Sequence, residues 1–326
     1  MRSLRPEAIQ RGWIAADDPL LVPRLAYPLG ADLPEVVHDF NRAARDRVLR
    51  DVLAGDAAPE SNPPLFGAEA EVTVAEVERY GIPLRTVLGT QSGLMRSDPY
   101  YSEAYLARFY RDHYRDLYRP RRFSQSWFFS EQIRSGQRIL DRLGGRLPGR
   151  GRVLDIGCGM GGMLVPFSFS GYQVSGCDCG QEYADRGRSL GLDIRVGGPE
   201  TLASDEKFDL IILSHVVEHV RDPVAFLSRA ASLLSDRGVC YIEVPGLLDL
   251  DRCYQGDVLQ YLQNAHRWHF TSGTLGAVLC RAGLEAMESD QAVTCLATRG
   301  TAHPNALPAD GPAVLAEISR LEQAYA

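Results

Sequence analysis

The chain has no apolar run near the roughly 20 residues that a membrane-spanning helix needs. Its first residues lack the apolar core of a signal peptide. Its seven cysteines form no C-x-x-C pair and show no regular spacing. These absences argue against a membrane protein and against a disulfide-rich secreted scaffold. We therefore expect a cytoplasmic protein whose thiols are reduced.

The chain also has fewer basic than acidic residues, and its formal net charge is −7. This balance argues against nucleic acid as the main partner. The 326 residues, 45% apolar and 24% charged, have the composition of an ordinary soluble globular protein. A chain of this length can bury a sizeable core and has room for two domains.

The most informative stretch is glycine-rich and reads Val153-Leu154-Asp155-Ile156-Gly157-Cys158-Gly159-Met160-Gly161-Gly162. An apolar run that ends in Gly-x-Gly predicts a buried strand followed by a turn into a helix. Glycine adopts positive φ angles at little cost and lets a ligand approach the backbone. The helix that follows would direct its free N–H groups and the positive end of its dipole at that ligand.

Two carboxylates decide which ligand this turn suits. Gly157, Gly159 and Gly162 satisfy G-x-G-x-x-G, which is also typical of dinucleotide-binding sites. Asp155, however, would repel a pyrophosphate and suits an ammonium or sulfonium group. Asp178, about 20 residues further on, can accept hydrogen bonds from both hydroxyls of a ribose. A ligand with a ribose, a cationic end and no phosphate is S-adenosylmethionine.

These motifs resemble those of the class I S-adenosylmethionine-dependent methyltransferases over residues 146–300. The segment 208–220 is similar to their fourth strand and the loop that follows it. The resemblance implies a doubly wound, Rossmann-like α/β fold with a seven-stranded sheet and a smaller N-terminal α+β region. It also implies a set of residues that hold the cofactor, S-adenosyl-L-methionine: Asp155, Gly157, Cys158, Gly159, Gly161, Asp178, Cys179, Thr201, Leu202, Ser214 and His215. The alternative is a doubly wound domain that binds another nucleotide.

One departure from the family concerns the adenine. Gly198 stands where the family usually has an acid that binds the adenine amine. We expect backbone groups around Thr201 and Leu202 to take over this role.

The remaining segments give weaker signals. Residues 1–62 are expected to be helical or irregular, with a helix over 34–53 that stops at Gly55. Residues 63–99 resemble the zinc ribbon that precedes the catalytic domain in bacterial sugar-modifying methyltransferases, but all four cysteine positions are replaced, by Pro63, Phe66, Gly89 and Ser92. Because zinc needs thiolate or imidazole ligands, we predict no metal there and a ribbon held by apolar contacts. An unrelated β-hairpin is the alternative.

Residues 100–145 are predicted to be a helical linker or lid, and residues 301–326 a tail helix for docking or dimer contact. An aromatic stripe begins at Tyr100, and the segment from Phe123 to Gln132 is similar to the family's cofactor lid. Two arginine trios recur at helical spacing: Arg111, Arg115 and Arg119, then Arg134, Arg138 and Arg142. They indicate either a solvated face paired with acids or a surface that binds the phosphates of a nucleotide-linked sugar.

Four histidines are candidates for the chemistry: His215, His219, His266 and His269. Methyl transfer is an in-line displacement in which alignment supplies much of the acceleration, and an alcohol acceptor must also lose a proton. We predict His219 or His269 as the base, with His215 and His266 in support; structural roles for all four are the alternative. A divalent metal at His215, Glu218 and His219 is considered without commitment, since His215 replaces an oxygen ligand. The H-x-x-E-H spacing of zinc peptidases is disfavoured because it follows a strand directly.

The function expected from these features is methylation of a small molecule. The leading prediction is transfer to an oxygen of a sugar or glycan precursor, with carbon or nitrogen as further options. The alternatives are a methyltransferase for a quinone or phenolic natural product, in which the arginines are not needed, and a cofactor-binding protein without catalysis. An oligomer is compatible with the sequence.

Overall fold

The computed structural model describes residues 4–29, 37–118, 125–143 and 145–325. Val36, Arg119 and Phe123, which belong to the predicted elements, lie outside this part of the chain. The chain divides into two compact units. The N-terminal unit contains Met1–Arg122, Gly246–Thr274 and Leu307–Ala326, and the sheet unit contains Phe123–Pro245 and Leu275–Ala306.

The described strands and helices are numbered in chain order. The strands are β1 (Pro59–Glu60), β2 (Glu71–Val77), β3 (Pro83–Gly89), β4 (Met95–Ser97), β5 (Tyr100–Tyr101), β6 (Arg152–Ile156), β7 (Gln173–Asp178), β8 (Asp193–Val196), β9 (Phe208–Ser214), β10 (Leu234–Glu243), β11 (Trp268–His269), β12 (Leu284–Ser289) and β13 (Thr294–Arg299). The α-helices are α1 (Arg5–Gln10), α2 (Asp39–Ala54), α3 (Glu103–Asp112), α4 (Tyr114–Tyr118), α5 (Gln125–Leu143), α6 (Leu164–Phe169), α7 (Gln181–Ser189), α8 (Pro223–Leu233), α9 (Leu250–Tyr254), α10 (Val258–Tyr261), α11 (Ser272–Arg281) and α12 (Gly311–Glu322). Each helix in the described ranges is too short or too polar to cross a lipid bilayer.

The sheet unit is built on a seven-stranded sheet with strand order β12-β13-β10-β9-β6-β7-β8. The five strands from β6 to β10 run parallel, and β13 and β12 close one edge in antiparallel pairing. The doubly wound, Rossmann-like sheet predicted from the sequence is therefore confirmed. The antiparallel pair predicted near residues 286–298 corresponds to β12 and β13.

The apolar runs in the sequence explain why these segments form central strands. Leu154, Ile211 and Ile212 have no exposed surface, because helices cover both faces of a parallel sheet. On one face, Ile139 and Leu143 of α5 and Phe167 of α6 share a buried apolar cluster with Ile212. This packing fixes the glycine turn, which lies between β6 and α6.

The N-terminal unit has its own core and a four-stranded antiparallel sheet of order β11-β4-β3-β2. The helix predicted over residues 34–53 is α2, and Gly55 ends it in a left-handed conformation with φ of 94°. The prediction of a helix is wrong for Tyr100 and Tyr101, which form β5 instead. These residues pair with β1, and Ser102 caps α3 by accepting a hydrogen bond from the Tyr105 N–H, so the helix begins only after Ser102.

The segment predicted to resemble a zinc ribbon contains β2, β3 and β4. In the turn between β3 and β4, the carboxylate of Glu69 accepts hydrogen bonds from the Ser92 hydroxyl at 2.6 Å and from the N–H groups of Gln91 and Ser92, both at 2.9 Å. A carboxylate thus satisfies the N–H groups of this turn. The relation to a zinc ribbon stays a prediction.

Acidic or hydroxyl side chains contact four of the described arginines of the two trios. Arg111 binds its neighbour Asp112 at 2.8 Å, Arg134 binds Glu131, and Arg142 binds Glu288 at 3.3 Å. Arg138 donates to the Ser135 hydroxyl at 2.9 Å. Exposed pairs of this kind add little stability, and they fit the solvated-face interpretation better than a phosphate-binding surface.

Glu78, which follows β2, is 1% exposed. Its Oε1 accepts hydrogen bonds from the Tyr80 N–H at 2.9 Å and the Ile82 N–H at 3.1 Å. Burial raises the pKa of this carboxyl group from 4.5 to about 7. The folded protein therefore holds the Glu78 proton more tightly than the unfolded chain does. Stability from this residue declines as pH rises from about 4.5 to about 7 and is constant above that.

We expect Glu78→Gln to remove this pH dependence, because an amide oxygen keeps both hydrogen bonds without a charge. The variant should match the wild type near pH 5 and exceed it by about 1–3 kcal/mol in free energy of unfolding at pH 8. Urea unfolding at both pH values measures this, with the exposed Glu285→Gln as control. A Glu78→Gln variant less stable than the wild type at pH 8 would contradict the account.

Candidate active site

The predicted cofactor residues lie at the carboxyl edge of four neighbouring parallel strands, β9, β6, β7 and β8. The chain proceeds from β6 to β7 and β8 on one side and then continues with β9 on the other side of β6. Ligands of open α/β sheets bind in the crevice where the strand order reverses in this way. The fold therefore brings together the residues that the sequence distributes over 60 positions, from Asp155 to His215.

The glycine turn after β6 requires glycine. Gly157, Gly159 and Gly161 have φ angles of 77°, 57° and 77°, in the left-handed region that other residues rarely adopt. A Cβ atom at Gly157 would lie 2.5 Å from the Val216 side chain. Cys158 within the turn is buried, and burial raises the pKa of its thiol well above the usual value, so this thiol is unreactive.

Asp155 carries a buried carboxyl group with one unsatisfied oxygen. It is 2% exposed, and its Oδ2 has no hydrogen-bond partner. Burial, and then repulsion by Asp178, raise the pKa of Asp155 well above its usual value. When it is ionised, a buried carboxylate of this kind needs a cation nearby. The other described residues of the site do not supply one.

Asp178, at the end of β7, holds the glycine turn in place. Its Oδ2 accepts a hydrogen bond from the Gly159 N–H at 2.8 Å, and its Oδ1 accepts one from the Gly180 N–H at 2.7 Å. A carboxylate has about four acceptor positions, so two remain for ligand hydroxyls. Cys179, the next residue, is exposed.

Gln132 of α5 was not identified as a site residue from the sequence beyond its place in the lid-like segment. It is 7% exposed, and its Nε2 donates to the Cys158 carbonyl at 2.9 Å. Since the carbonyl accepts, the amide nitrogen must face it, and this leaves Oε1 buried without a donor. The likeness of this segment to the family's cofactor lid was the signal in the sequence, but only the packing of α5 on the glycine turn shows which of its residues reaches Cys158.

After β8, the chain turns through a short 3₁₀ helix, Pro199–Thr201. The carbonyl groups of Thr201 and Leu202 accept hydrogen bonds from Arg195 at 3.1 Å and Arg229 at 2.6 Å. Glu200, which the sequence interpretation did not single out, binds the Gly198 N–H through Oε1 at 2.7 Å. An acid is therefore present two residues after the position where the family has one. Adenine recognition at Thr201 and Leu202 stays a prediction.

The end of β9 carries a cluster of two imidazoles and one carboxylate. Glu218 is 1% exposed, and its Oε1 lies 3.3 Å from His215 Nδ1 and 3.7 Å from His219 Nε2. His215 has a left-handed φ of 56°, and strain of this kind is typical of functional sites. Burial lowers the pKa of His215, but the Glu218 carboxylate more than offsets this, so the pKa is raised. Ser214 donates to Glu243 Oε2 at 3.0 Å.

His266 and His269 belong to the N-terminal unit, where their rings lie 5.9 Å apart. His269 is 1% exposed, and neither of its ring nitrogens has a hydrogen-bond partner. Burial, and then the charge of Arg79, lower the pKa of His269 to about 3. An imidazole of this pKa is neutral at pH 7 and is a weak base.

Comparison with known proteins agrees with this geometry. Residues 128–289 match the model of a family described as a methyltransferase domain. We refer to residues 128–289 as the methyltransferase domain because of this match. The matched range includes all the predicted cofactor residues as well as Gln132 and Glu200.

Several proteins share parts of the methyltransferase domain. The ubiquinone biosynthesis O-methyltransferase of Rhodopseudomonas palustris (strain BisB5) is 37% identical over 98 residues, which cover 28% of this chain and 38% of that protein. Its Bradyrhizobium diazoefficiens counterpart is 37% identical over 121 residues, 35% of this chain and 44% of that protein. The chain thus spans about two fifths of the curated relatives it matches. The structure of Burkholderia thailandensis 1,6-didemethyltoxoflavin-N1-methyltransferase is 19% identical, with a TM-score of 0.45 over 64% of this chain and 96% of that one.

The methyltransferase domain has the groups that S-adenosylmethionine requires. The cofactor carries one ammonium and one sulfonium group, and the unpartnered Oδ2 of Asp155 and Oε1 of Gln132 are buried acceptors. The positive φ angles of the glycine turn leave room for a ligand beside the backbone. The residues present therefore fit this cofactor.

Proposed function

We propose that this protein transfers the methyl group of S-adenosylmethionine to a hydroxyl oxygen of a small aromatic molecule, of the phenol or hydroquinone type. The observation that carries the proposal is the buried Asp155 beside the glycine turn, whose Oδ2 has no hydrogen-bond partner, together with the Glu218 cluster at the end of the neighbouring strand β9. The first suits a cationic cofactor, and the second suits removal of a proton.

We assign the binding of the cofactor to four side chains. Asp155 and Gln132 bind its cationic end, and Asp178 binds the ribose while it fixes the glycine turn. Glu200 accepts from the adenine amine in this proposal, in the role that Gly198 cannot fill. When bound, S-adenosylmethionine supplies a methyl group on an activated sulfonium. The protein's part is to align that group with the acceptor and to exclude water.

His219 is the proposed base for the acceptor hydroxyl. Its imidazole is partly exposed, with 18% of the side chain accessible, so a hydroxyl can reach it. The buried Glu218 carboxylate stabilises the positive charge that an imidazole acquires with the proton. His215 supports the cluster from the other side of Glu218. Of the two predicted bases, His269 is the weaker candidate because its pKa is about 3.

Two observations favour an aromatic acceptor over the sugar precursor that led the sequence-based prediction. The curated relatives are named for ubiquinone biosynthesis, although they match only part of the chain. Four of the arginines considered for nucleotide phosphates contact acids or a serine instead. This pairing weakens the support that the arginines gave to a nucleotide-linked sugar.

The test is a methyl-transfer assay with purified protein and S-adenosylmethionine labelled at the methyl group. The acceptors are a panel of catechols, hydroquinones and hydroxybenzoates, set against nucleotide-linked hexoses. We expect label in at least one phenolic product, released by acid that cleaves aryl methyl ethers. Label only in a nucleotide sugar would overturn the aromatic assignment. Binding of the cofactor without transfer to any member of the panel would instead favour a non-catalytic cofactor-binding protein.

A further inference from the structure

Two arginines hold the segment 199–202, which follows β8, by its backbone carbonyl groups. Arg229 of α8 donates from Nη2 to the Leu202 carbonyl at 2.6 Å and from Nε to the Pro199 carbonyl at 3.3 Å. Arg195 of β8 donates from Nη1 to the Thr201 carbonyl at 3.1 Å. The donors of a guanidinium group lie in one plane and point in fixed directions. The two side chains therefore set the orientation of the carbonyl groups in this segment.

Further contacts fix both arginines. The two terminal nitrogens of Arg195 bind the two carboxylate oxygens of Glu206, at 2.7 Å and 3.0 Å. The same carboxylate accepts a hydrogen bond from the Ala203 N–H at 2.7 Å, directly after the segment. Arg229 donates from Nη1 to the Ser232 hydroxyl of its own helix at 3.3 Å. A segment held from both sides is ordered before a ligand arrives, so binding costs less conformational entropy.

These contacts determine which groups of the segment remain for a ligand. The carbonyl groups of Pro199, Thr201 and Leu202 already accept from arginine. Glu200 accepts from the Gly198 N–H through Oε1 at 2.7 Å, which leaves Oε2 as a charged acceptor for another donor. The Leu202 N–H lies 3.4 Å from the Pro199 carbonyl, a long and weak hydrogen bond, so it is also available. The segment thus offers one strong acceptor and one donor.

We propose that Arg195 and Arg229 are positioning residues through which the methyltransferase domain selects adenine over other purine bases. They orient the segment so that the Glu200 carboxylate accepts from the adenine amine and the Leu202 N–H donates to the adjacent ring nitrogen. Hypoxanthine has an oxygen in place of the amine and an N–H in place of that nitrogen, so it would oppose both groups. The inference rests on the proposed function for the presence of S-adenosylmethionine and adds the residues that select its base.

Binding is measured by calorimetry on the full chain without a methyl acceptor, with S-adenosylhomocysteine and its deaminated form, S-inosylhomocysteine, as probes. We expect the wild type to prefer the adenosyl compound by about 10- to 100-fold, the effect of a hydrogen bond to a charged group. Arg229→Met should reduce this preference about 10-fold by weakening the adenosyl compound. Arg229→Lys, which keeps the charge but not the planar group, should lie between. The exposed Arg186→Met is the matched control and should bind like the wild type.

A purely structural role of Arg229 would give a different result. A general loss of stability lowers the melting temperature without changing the ratio of the two affinities. Hydrogen exchange of the ligand-free protein adds a second readout, in which the amides of residues 198–203 should exchange faster in Arg229→Met but not in Arg186→Met. If Arg229→Met does not fold, the same comparison is made with Arg229→Lys.

An unchanged ratio of affinities in the folded Arg229 variants would overturn the proposal. Equal binding of both compounds by the wild type would do the same. A wild type that binds neither compound would overturn both this inference and the proposed function. Failure of methyl transfer to every phenol, with the preference for the adenosyl compound intact, would count against the proposed function alone.

Discussion

Asp155→Asn is expected to weaken S-adenosylmethionine binding by about 100-fold. The substitution keeps the size of the side chain but removes the charge that faces the cation, and a buried hydrogen bond to a charged group is worth about 1.5–3 kcal/mol. The same variant should be more stable than the wild type without ligand at pH 7. The pKa of Asp155 is raised in the folded state, so the ionised carboxylate opposes folding once pH exceeds the usual aspartate range.

Three ligands separate the two cations that Asp155 could face. S-adenosylmethionine carries an ammonium and a sulfonium group, S-adenosylhomocysteine carries only the ammonium group, and 5′-methylthioadenosine carries neither. If Asp155 binds the ammonium group, Asp155→Asn weakens the first two equally and leaves the third unchanged. If it faces the sulfonium, only the first is weakened. The exposed Asp205→Asn is the control, and unchanged affinity of Asp155→Asn for all three ligands would refute the assigned role.

His219→Gln is expected to lower kcat by about 10²- to 10⁴-fold, the usual contribution of a positioned general base. Cofactor affinity should change little, because the proposed cofactor contacts come from other residues. Glutamine can fill the site but cannot take a proton, so the loss should appear in kcat rather than in KM. The rising limb of the pH–rate profile should also disappear, which a purely structural histidine would not cause.

Variants of two further histidines serve as comparisons for this measurement. His215→Gln should reduce kcat less than His219→Gln does, since His215 acts through Glu218. His303→Gln changes an exposed histidine of the same unit and should leave the rate unaffected. A His219→Gln enzyme with unchanged turnover and an unchanged pH profile would remove His219 from the mechanism. If His269→Gln alone then suppressed turnover, the base would have to be sought in the N-terminal unit.

Local sequence was sufficient for the glycine turn and the strands beside it. Asp155 and the glycines at 157, 159 and 161 lie within seven residues of one another, so their arrangement follows from a buried strand that ends in a left-handed turn. The repeat of strand and helix then predicted the parallel sheet, and Asp178 followed from spacing along the same repeat. Each of these features depends on neighbours in the chain, and a single sequence contains that information.

Other features depended on which distant segments pack together. Gln132 precedes the glycine turn by more than twenty residues along the chain and reaches it only because α5 packs on α6 and places its amide against Cys158. Tyr100 and Tyr101 fit a helical aromatic stripe, but pairing with β1 makes them a strand. His269 looked like a base in sequence, yet its burial leaves it with a pKa of about 3.

The sequence by itself determined the glycine turn and the strands around it, because the spacing of Asp155, the glycines and Asp178 is a local property of one strand–turn–helix repeat. Only the tertiary structure decided the make-up of the N-terminal unit, which three separate stretches of chain build around one core. It also decided which polar groups stay unpaired, such as the ring nitrogens of His269. The burial and pairing of polar groups are set by contacts between residues far apart in sequence, so no local sequence pattern predicts them.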